Sequence, residues 1–212
     1  MSKFQRHEIE EAIEDIRQGK VIIVTDDEHR ENEGDFIAAA ELVTPEIVNF
    51  MAKNGRGLIC AAVTEERCSE LELDMMVTKN TASHSTNFTV SVDLLRQGCT
   101  TGISAHDRAK TLNALANEST QPEELGRPGH IFPIKAHPNG LFARPGHTEA
   151  SVELPRLAGL KPVGALVEIM NPDGTMARYP DLVKLSEKHG IKLITIKKLI
   201  KYLNSIAELI RI

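Results

Sequence analysis

The chain has 212 residues, enough for one sizeable core, and its 41% hydrophobic and 26% charged residues are ordinary globular proportions. A formal charge of −5 with no basic run, no Trp and only 4% aromatics exclude the charged track and stacking platform of a nucleic-acid binder. No stretch approaches a membrane span, the opening "MSKFQRHEIEEAIEDIRQ" has no apolar signal core, and Cys60, Cys68 and Cys99 show no metal-like spacing, so a reduced, cytoplasmic setting is expected.

Residues 8–18 place Ile9, Ala12, Ile13 and Ile16 on one helical face, with Gly19 as the stop. "VIIVT" (21–25) reads as a buried strand and "DFIAAA" (35–40) as a second. Between them "DDEHRENEGD" (26–35) holds six carboxylates, Arg30 and His29. A charge run is usually a solvated loop. Here it follows a wholly apolar strand, and so many carboxylates repel one another unless cations absorb their charge. Oxygen ligands suit Mg²⁺, and one His admits Mn²⁺. Arg30 offers a planar fork for phosphate or carboxylate.

"TPEIVNFMAKNG" predicts a helix capped by Thr44 and closed at Gly55, "GLICAAV" (57–63) a strand, and Thr64 the cap of a short helix to about Leu71. Residues 74–87 are polar and irregular; "FTVSVD" (88–93) alternates as a strand. "CTTGIS" runs into Ser104–Asp107, a capping-box pattern that opens a helix to about Glu118. Such a loop suits an anion, though plain capping is the simpler account.

Arg-Pro-Gly-His then occurs twice, at 127–130 and 144–147. Each Pro-Gly is a turn. The arms "IFPIKA" and "LFAR" about "HPNG" predict a hairpin whose open end brings His130 and His147 together. Two imidazoles so placed suit metal binding or proton transfer. "HTEAS" also reads as a helix start, and Arg144 and Thr148 flank His147 as candidate phosphate contacts. Glu168 interrupts the strand "PVGALVEIM" (162–170): within the strand a carboxylate needs a partner or a cation, whereas at the strand end, just before "NPDG", it would point to solvent. The turn "NPDGT", the helix "PDLVKLSEKHG", the strand "IKLITI" and a last helix complete the chain. About seven strands alternating irregularly with helices predict an α+β domain, a mixed sheet covered by helices, spanning residues 1–212.

"DDEHRENEGD", "TTGISAHDR", "RPGHIFPI", "RPGHTEA" and "VEIMNPDGTMAR", in that order, resemble the 3,4-dihydroxy-2-butanone 4-phosphate synthases of riboflavin biosynthesis over about residues 8–200. The resemblance implies a three-layer α/β/α fold and conversion of D-ribulose 5-phosphate to L-3,4-dihydroxybutan-2-one 4-phosphate and formate. It implies two Mg²⁺ (or Mn²⁺) ions, no organic cofactor, and a homodimer. It puts metal ligands at Glu31 and His147, and the two positions held essential for catalysis at His130 and Glu168. Substrate contacts fall on Arg30, Glu31, Asp35, Arg144, Pro145, Gly146, His147, Thr148 and Glu168. Asp26, Asp27 and Glu33 are further candidates near the metals. Some members are fused to a GTP cyclohydrolase II domain; ending at Ile212, this chain reads as the stand-alone form. Two rival readings are a Mg²⁺-dependent sugar-phosphate hydrolase or isomerase, which the hydrolase arm would betray by phosphate release, and a non-catalytic sugar-phosphate sensor, in which Glu168→Gln would impair binding only.

Overall fold

The computed structural model describes residues 3–210, with side chains placed for 8–208. Among these residues seven strands, β1 (Ile22–Thr25), β2 (Gly34–Ala39), β3 (Cys60–Val63), β4 (Val92–Leu94), β5 (Leu125–Lys135), β6 (Gly164–Glu168) and β7 (Leu193–Thr195), form one sheet in the order β4-β5-β3-β6-β2-β1-β7. Pairs β1/β7 and β3/β5 are parallel, and the other four are antiparallel. The sheet is therefore mixed, as expected.

β1, β2 and β3 are buried at every position. A strand buried on both faces needs cover on both. Side chains alternate across the sheet: Ile23, Phe36, Ala38, Ala61 and Val167 join one core, while Ile22, Val24, Ile37, Ala62 and Leu166 join the other. Helices α2 (Pro45–Gly55), α3 (Glu65–Glu70), α4 (Ala105–Ala116) and α7 (Tyr179–His189) supply the first core with Met51, Cys68, Leu112 and Leu182. Helices α1 (Lys3–Arg17), α6 (His147–Leu157) and α8 (Ile196–Ile210) supply the second with Ile9, Ile13, Leu154 and Leu199. The result is the three-layer α/β/α architecture. Thr44, Thr64 and Ser104 cap α2, α3 and α4 through their side chains, accepting from the N–H groups of Ile47, Arg67 and Asp107.

The structure corrects four local expectations. There is no hairpin between the two Arg-Pro-Gly-His turns: residues 125–135 are one long strand, and "LFAR" begins with the short helix α5 (Gly140–Ala143). Ile131 to Ile134 find partners in β3 and β4 instead, so the second arm is not needed. "FTVSVD" contributes only Val92 and Asp93 to β4, with single bridges at Phe88 and Thr89. α2 closes at Gly55 as expected, but Arg56, not the glycine, takes the left-handed turn (φ 71°). A Cβ on Gly55 would come 2.8 Å from Val167 Cγ1, so this glycine permits close packing of helix on strand. Finally, the Asp107 carboxylate does not close a capping box on the Ser104 backbone N–H. It accepts from Thr100 N, Thr100 Oγ1 and Gly102 N, which fills the "TTGIS" loop with the chain's own anion.

Candidate active site

The acidic loop is folded around one of its own carboxylates. Asp26 Oδ2 accepts from Arg30 Nη1 (2.9 Å) and Glu31 N (3.0 Å), and Oδ1 accepts from Glu33 N (2.9 Å). Arg178, just after the "NPDGT" turn, clamps the loop from behind by donating to the carbonyls of Glu31 (3.0 Å) and Asn32. Three N–H donors and a guanidinium thus offset the repulsion expected from the charge run, and the backbone aims Glu31 inward.

The strand period brings the remaining groups to the same place. Asp35 and Glu168 are register partners on β2 and β6. Asp35 shares its face with Ile37, and Glu168 with Leu166; both of these hydrophobic residues belong to the core that α6 covers. His147 is the first residue of α6, and its Nδ1 lies 3.4 Å from Glu31 Oε2 and 3.9 Å from Asp35 Oδ1. Glu31 is also paired with Arg30 (2.8 Å). Glu168 Oε2 accepts from Leu58 N (2.9 Å).

Burial and charge act against each other here. Desolvation opposes a charge on His147, which is 5% exposed, but the neighbouring carboxylates of Asp35, Glu31 and Asp26 outweigh it and raise its pKa to about 9. The hydrogen bond from His147 and the charge of Arg30 overcome burial and lower Glu31 to about 2. Asp35, 4% exposed, is lifted to about 7 by burial, with Glu168, Glu31 and Glu33 adding repulsion. Burial likewise raises Glu33.

Two buried atoms in this cluster, His147 Nε2 and Asp35 Oδ1, have no hydrogen-bond partner. An orphaned buried polar group costs about 1–3 kcal/mol, so the pair points to a partner supplied from outside. Asp26, Glu31 and His147 offer ligand atoms within 4.8 Å of one another. Asp26 is already committed to three donors, which leaves Glu31 and His147 as the groups best placed to hold a divalent cation. An imidazole with carboxylates fits Mg²⁺ or Mn²⁺.

The cluster opens into a cleft of about 150 Å³. Arg30, Glu31, Glu33, Asp35, His147 and Glu168 form its polar side; Phe88, Ile134 and Leu166 its apolar wall, with Thr86, Arg144 and Thr148 at the rim. Arg144 is held by Glu149 (2.7 Å) and reaches the His84 carbonyl (3.4 Å). A Cβ on Gly146 would stand 2.6 Å from an Arg144 Nη1 and 3.0 Å from Arg30 Nη2, so only glycine lets both guanidiniums meet at the start of α6. Pro145 is exposed beside them, and Asp27 turns outward to accept from His29 N. A larger hollow of about 570 Å³ lies by the C-terminal half of α4, but its Lys110 and Lys161 are bonded to the Gln97 carbonyl and Glu118.

His130 does not join this cleft. Ile134, four residues further along β5, lines it, and His130 is not among the lining residues. The failed hairpin explains the discrepancy: with "LFAR" helical, nothing folds His147 back onto His130. Sequence reasoning also missed Arg178, Glu149, Phe88 and Leu58. Glu149 had a signal in its position five residues after Arg144; Leu58 acts through its backbone N–H and had none.

The model of the 3,4-dihydroxy-2-butanone 4-phosphate synthase family matches residues 10–202. The riboflavin biosynthesis protein RibBA of Cytophaga hutchinsonii is 63% identical over 202 residues, and that of Aquifex aeolicus 57% over 201. These cover 95% and 94% of this chain but 50% of each relative, so the chain spans about half the length of the curated relatives it matches. Among solved structures, a 3,4-dihydroxy-2-butanone 4-phosphate synthase in complex with two magnesium ions superposes with a TM-score of 0.89 at 43% identity, covering 93% of this chain and 96% of that one. RibBX, a two-domain synthase from A. baumannii, gives 0.87 at 47% identity, covering 92% and 57%. With the family model matched over residues 10–202 and the fold in agreement, the chain belongs to the 3,4-dihydroxy-2-butanone 4-phosphate synthase family.

Proposed function

We propose that this chain converts D-ribulose 5-phosphate to L-3,4-dihydroxybutan-2-one 4-phosphate and formate, as one synthase domain over residues 1–212, in a cytoplasmic homodimer. The observation that carries the reading is the meeting of Glu31 and His147, from distant parts of the sequence, at 3.4 Å beside two orphaned buried atoms. Glu31 and His147 would hold two Mg²⁺ ions, which would supply Lewis-acid stabilisation of developing negative charge.

The chain's own groups divide the remaining work. Arg144 and Arg30, meeting across Gly146 at the α6 N-terminus with Thr148, receive the phosphate by fork geometry and helix dipole. This holds the sugar carbons against Glu168 and Asp35. The substrate then loses the C3 proton to give an enediol, sheds the C1 hydroxyl as water, migrates its skeleton, takes water back and releases C4 as formate. Atoms balance without a redox partner. Glu168, fixed on Leu58 N–H, is one proton carrier. His130 is the other, delivered to the cleft of the partner subunit, since within one chain it lies outside. Phe88, Ile134 and Leu166 keep bulk water from the reactive intermediates.

The deciding assay incubates purified protein with ribulose 5-phosphate and Mg²⁺ and measures formate. Formate that appears with Mg²⁺ and disappears with EDTA is expected. Release of inorganic phosphate instead would replace this reading with a hydrolase.

A further inference from the structure

His130 is built into a second polar arrangement that the motifs do not mention. The β4/β5 register slips between Val92, opposite Ile131, and Asp93, opposite Gly126. Residues 127–130 therefore bulge out of the ladder, and the bulge turns the His130 ring back over β4. There His130 Nδ1 lies 2.6 Å from Asp93 Oδ2, and the His130 backbone N–H donates to Asp93 Oδ1 at 2.8 Å. The carboxylate is held tightly. A Cβ on Gly102 (φ +91°) would fall 2.0 Å from Asp93 Oδ2, and one on Gly129 2.2 Å from Asp93 N. The Gly102 loop is itself fixed by the Asp107 carboxylate. The Asp93 side chain is 15% exposed, whereas that of His130 is 43% exposed.

We propose that Asp93 is a positioning residue that fixes the tautomer of His130, holding the proton on Nδ1 and presenting a bare Nε2 outward as the proton-accepting atom. The proposal rests on the reading that His130 moves protons in the reaction. A carboxylate accepts only. With Oδ1 taken by the backbone N–H, Oδ2 must face an Nδ1–H. The consequence for Asp93→Asn follows from the same two bonds. The amide oxygen has to stay on the His130 backbone N–H, so the amide nitrogen turns to Nδ1 and donates to it. That forces the proton onto Nε2 and leaves no lone pair facing outward. Volume and hydrogen-bond number are kept while the acceptor is lost.

The test is ¹⁵N NMR of histidine-labelled protein at a pH where the ring is neutral, with His130 assigned by His130→Gln, alongside steady-state kinetics. In the unmodified chain Nδ1 should be the protonated nitrogen and Nε2 the bare one; in Asp93→Asn the two should exchange. The kcat should fall about 10²–10⁴-fold, as for a lost acid–base group or a wrong tautomer, with KM for ribulose 5-phosphate and the Mg²⁺ requirement unchanged. A merely structural role would not exchange the nitrogens. If the unmodified chain carries its proton on Nε2, the proposal is overturned, and this measurement needs no variant to fold. If the nitrogens fail to exchange in Asp93→Asn, the proposal is again overturned while His130 keeps its assigned role. If they exchange and kcat stays level, His130 is not a proton carrier, and the reading beneath the proposal falls with it.

Discussion

His147 has Nδ1 between two carboxylates and Nε2 buried without a partner. Without metal, those carboxylates hold its proton up to about pH 9 despite burial. A cation needs the neutral ring, so binding must displace that proton. Below about pH 9 protons compete, and apparent affinity for Mg²⁺ or Mn²⁺ should rise by up to about tenfold per pH unit, levelling above that value. Calorimetric titrations between about pH 7.5 and 9, above the range in which Asp35 takes up its proton, in buffers of different ionisation enthalpy, should show about one proton released through this site. An affinity independent of pH would remove His147 from the ligand set. Glu31, lowered to about 2, stays ionised throughout and adds no slope. These residues were legible in the sequence because six carboxylates beside a buried strand have few physical solutions. Asp93 was not, because an aspartate in an alternating strand is locally the same whether it faces solvent or a histidine.

Helix starts were legible element by element, since a cap is a local bond: Thr44, Thr64 and Ser104 each accept the N–H three residues on. The segment after Pro138 was not, because a four-residue helix and a short strand have the same composition and only tertiary partners separate them. Its outcome matters, as α5 leads directly into the Arg144 turn and α6. Gly146→Ala tests that turn. The added Cβ would meet Arg144 Nη1 at 2.6 Å, Glu149 Oε2 at 2.9 Å and Arg30 Nη2 at 3.0 Å. All three are ends of flexible side chains, so the fold should survive and the guanidiniums should part. Losing one charge-assisted hydrogen bond, about 1.5–3 kcal/mol, raises KM for ribulose 5-phosphate about 10–100-fold. Steady-state kinetics with a thermal melt check this; an unchanged KM would place the phosphate elsewhere.

Strand existence could be read from apolar runs, but the order β4-β5-β3-β6-β2-β1-β7 could not, because long-range pairings leave no local trace. That order decides where His130 stands. β5 pairs with β3 and β4 at the edge of the sheet, while the acidic loop hangs from β1 and β2. One chain therefore holds two separate polar groups: the Glu31–His147–Glu168 cleft, and the Asp93–His130 pair. Leu58, Leu95, Ile103 and Phe142 are exposed large hydrophobic residues that a second copy would cover in the proposed homodimer. If the proposed homodimer is two-fold, the cleft of one copy would be completed by the Asp93–His130 pair of the other, and the reverse. Mixing Glu31→Ala and His130→Ala proteins, each inactive alone, separates this from a self-contained site. After subunit exchange half the dimers are mixed, and each mixed dimer has one site with intact Glu31 from one chain and intact His130 from the other. Formate production should recover to about a quarter of the unmodified rate, by the symmetry of a two-site dimer. If each chain used its own His130, every site in every mixed dimer would still lack one group, and the mixture would stay silent however long it was left to exchange.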